Sequence, residues 1–248
     1  MYDLGVRERG RRYKPSEDPG TAVNTTRSWR IAVGEEETGA LYEPAGTPQA
    51  GAVFVCAHGA GGRMDDRGMA GLARVLRAQG FDLVRFNFLY REAGSGRPDP
   101  MPRLKRCIEA VAARVRAELA PARLVIGGRS MGGRAASMLA ADGFACDGLL
   151  LAAYPLHPAG KPEQLRDGHL PGIRAPVLCL NGTRDALCSR ELMERAVADL
   201  DRWTLHWLEG ADHAFHVLKS SGRTDAQVLD EVGEAARAWL ETLARGAN

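Results

Sequence analysis

The sequence predicts an α/β fold, with a mostly parallel central sheet covered by helices on both faces. Three observations lead there. From about Trp29 onward, short apolar runs alternate with stretches of helical periodicity. Residues 52–88 contain a complete strand, helix and strand in succession. The apolar run 123–127 passes directly into a small-residue helix through Gly128-Arg129-Ser130-Met131-Gly132. At 248 residues the chain is long enough to bury a substantial core as one domain.

Residues 1–26 mix Arg7, Arg9, Arg11, Arg12, Lys14, Glu17 and Asp18 with Pro and Gly and show no sustained apolar period, so they are expected to form a flexible amino-terminal arm. The folded domain is expected over 27–248. It opens with strands at 29–33, 39–42 and 52–57. Met69, Leu72, Ala73 and Leu76 recur at helical spacing across 69–79; Gly80 stops that helix and 81–88 returns to strand composition. A helix at 104–119, a strand at 123–127, a helix at 131–141 and a strand at 148–153 follow. Beyond a Pro-rich connection at 155–176 come a strand at 177–180, a helix at 190–200, a strand at 203–208 and a last helix at 225–244. Thr224 and Gln227 have the spacing of a capping box at the start of that helix.

Composition narrows the partners. Thirty-three Lys and Arg against thirty-one Asp and Glu leave a net charge of +2, too little for a field that would gather nucleic acid or an anionic membrane. A small-molecule substrate is the expected partner. The five cysteines are odd in number, widely spaced and without metal-ligand spacing; Cys56 and Cys179 lie in apolar runs and are expected in the core. No run approaches the roughly 18 apolar residues of a membrane span, and the amino terminus lacks the apolar segment of a secretory signal. A cytoplasmic location follows as the expectation.

The segment 128–132 has the pattern G-x-S-x-G at a strand-to-helix junction. Such a junction forces a sharp turn whose centre only small neighbours tolerate, and Gly128 and Gly132 supply the room. Ser130 would stand exposed at the carboxyl edge of the sheet. A serine hydroxyl needs a base to remove its proton, and the base needs a carboxylate to fix its tautomer. Both are available downstream at the ends of strands: Asp185 after 177–180, and His213 after 203–208. Position favours Asp185 over the adjacent Asp212 as the acid, because neighbouring side chains diverge, and His213 over His216 as the base.

His58-Gly59-Ala60-Gly61-Gly62 directly follows the strand 52–57 and is suited to bring backbone N–H groups close to a substrate oxygen. Ala60 and Met131 are the candidate oxyanion donors. No phosphate-loop or dinucleotide pattern accompanies these glycines. His58 comes too early to be the base and is more suited to bracing its loop; with Gly59, Tyr154 and His157 it is also a candidate wall of the substrate pocket. His206, in the middle of a strand, reads as structural.

These residues resemble a known family. The elbow 128–133 followed by Arg134, the loop Tyr154-Pro155-Leu156-His157-Pro158 through Glu163, the run Asn181-Gly182-Thr183-Arg184-Asp185, and Asp212-His213-Ala214-Phe215 look like a predicted-hydrolase branch of the α/β-hydrolase superfamily. That branch is related to dienelactone hydrolases and to a hydrolase-like domain of testis-expressed and chromatin-complex proteins. The resemblance covers about 28–245 and implies the α/β-hydrolase fold, with Ser130, Asp185 and His213 as its triad. Dienelactone hydrolases use a cysteine where Ser130 stands, so their substrate does not transfer.

The expected activity is hydrolysis of an ester or related acyl bond through an acyl-enzyme on Ser130, with no metal or organic cofactor. A connection of about twenty residues after 148–153 makes at most a small lid, which favours short, soluble acyl substrates. Two alternatives share the fold: a catalytically silent scaffold or binding protein, and non-hydrolytic triad chemistry such as that of a perhydrolase or lyase.

Overall fold

The computed structural model describes residues 25–46 and 51–245. The arm expected over 1–26 lies, as far as residue 24, outside the described residues. Among those described, eight strands form one sheet: β1 (Arg27–Val33), β2 (Glu36–Glu43), β3 (Ala52–Ala57), β4 (Asp82–Phe86), β5 (Arg123–Arg129), β6 (Gly148–Ala152), β7 (Val177–Gly182) and β8 (Trp203–Leu208). Their order across the sheet is β1-β2-β4-β3-β5-β6-β7-β8. β1 and β2 pair antiparallel, as do β2 and β4; every other neighbouring pair is parallel.

This order explains where a site can form. From β3 the chain builds first toward β4 and then reverses through β5 to β8. The connections leaving β3 and β5 therefore diverge to opposite faces, which opens a crevice at the carboxyl edge between them. α1 (Arg67–Ala78) follows β3 and packs with the last helix, α6 (Asp225–Arg245), on one face. The single turn α2 (Leu89–Glu92) precedes α3 (Met101–Leu119), which packs with α4 (Met131–Ala141) on the other face, where α5 (Arg190–Ala196) also contributes.

Strand alternation assigns each side chain its face. In β3, Val53, Val55 and Ala57 enter the core beneath α3 and α4, whereas Ala52, Phe54 and Cys56 enter the one beneath α1 and α6. All six are buried, so β3 carries no polar face and reads as a continuous apolar run. Cys56 and Cys179 are core residues as expected. Burial pushes the Cys56 thiol up to about 12, which keeps it protonated.

The sequence-based boundaries shift at a few ends. β7 runs on to Gly182, α5 stops at Ala196 rather than 200, and α2 carries no sequence signal because four residues cannot display a period. At the start of α6 the Thr224 N–H donates to Gln227 Oε1 at 2.8 Å and the Gln227 N–H to Thr224 Oγ1 at 3.3 Å, the reciprocal pair of a capping box. His206 faces α6 and bonds Glu231 at 2.9 Å, a structural contact. No helix among the described residues is long and apolar enough to cross a membrane.

Candidate active site

Ser130 links β5 to α4 with φ 50° and ψ −116°, a conformation that side chains rarely adopt. Its N–H donates to Ala152 O of β6 at 2.9 Å, anchoring the turn to the sheet. The turn also requires close backbone approach. A Cβ at Gly128 would lie 2.1 Å from Ala57 O, and one at Gly132 would lie 2.6 Å from both Ala57 O and His58 O. Any larger residue at these two places would push α4 off the end of β3, and the serine would lose its position.

His213 sits in a short closed loop after β8. Ala211 and Val217 form an isolated bridge, the Asp212 N–H donates to His216 O at 2.9 Å, and the Phe215 N–H donates to Asp212 O at 2.9 Å. The loop after β7 is joined to it by the backbone, since the Arg184 N–H donates to Ala211 O at 2.9 Å and the Thr183 N–H to Leu208 O at 3.1 Å. These bonds bring residues 28 positions apart together. His213 Nδ1 lies 2.8 Å from Asp185 Oδ2, and Nε2 lies 2.9 Å from Ser130 Oγ.

The Asp185 side chain is fully buried, while that of His213 is 30 % exposed. Asp185 Oδ1 accepts the Leu187 N–H at 2.8 Å, and Oδ2 also receives Asn181 Nδ2 at 3.4 Å. A carboxylate only accepts, so Nδ1 of His213 carries the proton and Nε2 is left to accept from Ser130. Asp212 is occupied elsewhere. Its Oδ1 accepts the Ala214 and His216 N–H groups at 2.8 and 3.0 Å, which shapes the His213 loop from within. His216 is exposed and pairs with Asp225 at 2.5 Å, away from Ser130.

The loop after β3 lies against the nucleophile: a Cβ at Gly59 would stand 3.5 Å from the Ser130 Cβ. Ala60 is exposed beside it. Met131 opens α4, where a helix leaves its first N–H groups without intrahelical acceptors. His58 is fully buried beneath this loop. Its Nε2 accepts the Phe88 N–H at 3.1 Å and its Nδ1–H donates to Gly59 O at 2.8 Å, which fixes a neutral ring. Burial lowers its pKa, in keeping with that state.

His58 is therefore a brace and not a pocket wall, and the same correction applies to two other residues. Tyr154 is fully buried, its hydroxyl donating to Arg166 O at 2.8 Å. His157 is 5 % exposed; its Nε2 accepts the Ser189 N–H at 3.1 Å and its Nδ1–H donates to Pro158 O at 3.0 Å. Both turn inward because the connection after β6 packs down over β6 and β7, with Leu156 and Leu170 also buried. Of the four candidate pocket residues, Gly59 alone borders Ser130.

Two residues that the sequence did not single out hold the arrangement. Asn181 donates to Tyr154 O at 3.1 Å, accepts the Tyr154 N–H at 3.2 Å, and reaches Asp185, so it ties the end of β7 to the end of β6. Arg129, the variable position before the serine, sends an Nη to donate to His213 O at 2.8 Å and lies over the Phe215 ring at 5.5 Å. Burial lowers its pKa, while Asp212, Asp185 and Asp66 act in the opposite direction. A variable motif position has no periodic signal, so only the folded chain reveals its reach.

Comparison with known proteins agrees with this architecture. The family model described as an alpha/beta hydrolase domain matches residues 50–241. Among solved structures, a serine hydrolase without lid from Xanthomonas campestris superposes with a TM-score of 0.69 at 21 % identity, covering 86 % of this chain and 94 % of that one. Dienelactone hydrolase from Anabaena variabilis gives 0.67 at 19 % identity, covering 88 % and 97 %. A dienelactone-hydrolase-like promiscuous phosphotriesterase from metagenomic libraries gives 0.64 at 20 % identity, covering 88 % and 98 %. With the eight-stranded sheet, the strand-to-helix turn at Ser130 and the family match over most of its length, the chain belongs to the α/β-hydrolase domain family.

Proposed function

We propose that the protein is a serine hydrolase of the carboxylesterase type, cleaving an ester or related acyl bond through an acyl-enzyme on Ser130. The observation that carries this is one imidazole held between a hydroxyl at 2.9 Å and a buried carboxylate at 2.8 Å. As the Ser130 oxygen attacks the acyl carbon, its proton passes to His213 Nε2 and the carbonyl electrons become an oxyanion. The Ala60 and Met131 N–H groups are the donors assigned to that oxyanion. Collapse expels the alcohol oxygen, which takes the proton from His213. Water then gives its proton to the same nitrogen and attacks the ester on Ser130; collapse releases the acid, and His213 returns the proton to the Ser130 oxygen.

Asp185 orients the imidazole and stabilises its protonated form. Residues 153–157 and Leu170 of the connection after β6 are buried and Ser130 keeps partial exposure, which supports a nucleophile open to solvent. That favours short, soluble acyl groups over long lipid chains. All five cysteines are free thiols, which suits a reducing cytoplasm. Labelling with a fluorophosphonate probe, followed by turnover of a panel of 4-nitrophenyl esters and thioesters, tests the reading. Ser130→Ala is expected to abolish both, with a loss of about a thousandfold or more. Full activity in that variant would overturn the assignment, and a wild type that neither labels nor turns over would favour a scaffold.

A further inference from the structure

A cavity lies behind the His213 loop, between α1 and the start of α6. It measures about 580 Å³, within the usual range of small-ligand sites. Leu72, Phe215 and Leu229 give it an apolar wall, and Arg67, Arg74 and Arg129 line it together with His216 and one carboxylate, Asp225. Arg129 is the innermost. One Nη is held by His213 O, and the other lies so near the cavity wall that a Cβ on Gly68 would come within 2.7 Å of it.

The acids around the cavity are committed elsewhere. Asp225 pairs with His216 and accepts the Val217 N–H at 2.9 Å. Asp66 accepts the Arg63 N–H at 2.7 Å, and Asp212 caps its own loop. Among the described residues, Arg129 and Arg67 have no carboxylate at ion-pair distance, and Asp230 meets Arg74 only at 3.9 Å on the exposed surface. With three arginines in the lining against one carboxylate, Asp225, which already holds His216 and the Val217 N–H, the chamber keeps a positive balance that suits a ligand with a negative head and an apolar body.

We propose that this cavity binds a small amphipathic carboxylate, with its head on Arg129 and Arg67 and its body against Leu72, Phe215 and Leu229. Such a ligand also bears on the site already described. Arg129 holds the His213 carbonyl, and Phe215, two residues on, sits at φ 64°, so a carboxylate drawn to Arg129 competes with the contact that steadies the loop. This coupling rests on the reading of Ser130 as a nucleophile; the binding itself does not.

The test is calorimetric titration of the full chain with hexanoate and with its uncharged isostere hexanamide. Hexanoate is expected to bind at one site per chain and hexanamide at least tenfold more weakly. Ala226→Trp, which fills the mouth, and Arg67→Gln, which removes a surface charge, should each weaken hexanoate at least tenfold. No saturable binding to the wild type, equal binding of the amide, or undiminished affinity in Ala226→Trp would overturn the site. Hexanoate should also slow fluorophosphonate labelling of the wild type and spare Ala226→Trp; equal slowing in both would place the ligand at Ser130 and overturn the coupling. A chain that binds hexanoate as described yet never labels would refute the hydrolase reading and leave the second site standing.

Discussion

Replacing Asp185 by Asn separates the two carboxylates next to His213 in a way the structure makes quantitative. Both oxygens of Asp185 face donors: Oδ1 receives the Leu187 N–H at 2.8 Å, and Oδ2 receives His213 Nδ1 at 2.8 Å and Asn181 Nδ2 at 3.4 Å. An amide has one acceptor and one donor end. With its NH2 toward His213, the ring must shift its proton to Nε2, and the nitrogen facing Ser130 can no longer act as a base. With its NH2 toward Leu187, two N–H groups are opposed in a fully buried place, at a cost of about 1–3 kcal/mol. The first arrangement opposes the amide only to Asn181 Nδ2 across the longer 3.4 Å contact and is the milder, so turnover should fall by about ten-thousandfold with the fold retained.

Asp212→Asn behaves differently. Only its Oδ1 is engaged, by the Ala214 and His216 N–H groups, and the amide oxygen of Asn can replace it. Turnover should stay within about tenfold of the wild type, because no buried donor loses its acceptor. The assay is kcat on a 4-nitrophenyl ester for both purified variants, with the rate of fluorophosphonate labelling as a second readout and thermal unfolding as the control for folding. A nearly normal Asp185→Asn, or an Asp212→Asn that loses more than Asp185→Asn, would refute the reasoning.

Further outcomes follow from particular contacts. Ser130→Gly and Ser130→Ala should both be inactive, but the glycine relieves the positive φ at 130, and its variant should be the more stable by about 1 kcal/mol, read as a higher Tm; equal values would show the turn to be unstrained. His157→Ala leaves the half-buried Ser189 N–H without its acceptor and opens a void at a buried side chain, and should lower stability by about 2 kcal/mol, or roughly 4–8 °C in Tm, while KM for several esters stays unchanged. Burial and the nearby Arg134 pull His169 from 6.5 down to about 4, so the unfolded chain takes up that proton first. Stability should therefore rise with pH between about 4 and 6.5 and be lost as pH falls through that window, by about 1–2 kcal/mol after allowing for partial exposure. His169→Gln keeps a donor for Ser137 Oγ and should reduce the slope in chemical denaturation across those pH values; the lowered pKa values of His58, Glu92 and Glu231 leave a residual trend of the same sign.

Much of the architecture was legible in the sequence, because it depends on local pattern. Apolar runs of strand length between helical periods set the parallel sheet, and β3 and α4 fall at the expected residues. The elbow could be read because a strand that meets a helix at G-x-S-x-G leaves its central residue few conformations. The order of Ser130, Asp185 and His213 along the chain was legible as well, each after the end of a strand. The capping box at Thr224 and the buried Cys56 and Cys179 belong to the same class of short-range signal.

What the tertiary structure decided is the direction in which polar side chains point. His58, Tyr154 and His157 look like pocket residues in a sequence, since each follows a strand's carboxyl end. Each instead turns inward to satisfy a backbone group that the fold brings beside it: Phe88 N–H for His58, Arg166 O for Tyr154 and Ser189 N–H for His157. Those partners lie 30, 12 and 32 residues away, beyond any window in which periodicity operates. The same holds for Arg129, whose grip on His213 spans 84 residues and whose cavity exists only once α1 and α6 are packed side by side. A one-dimensional pattern determines which residues leave water; which buried donor meets which acceptor is settled only when the loops close on one another.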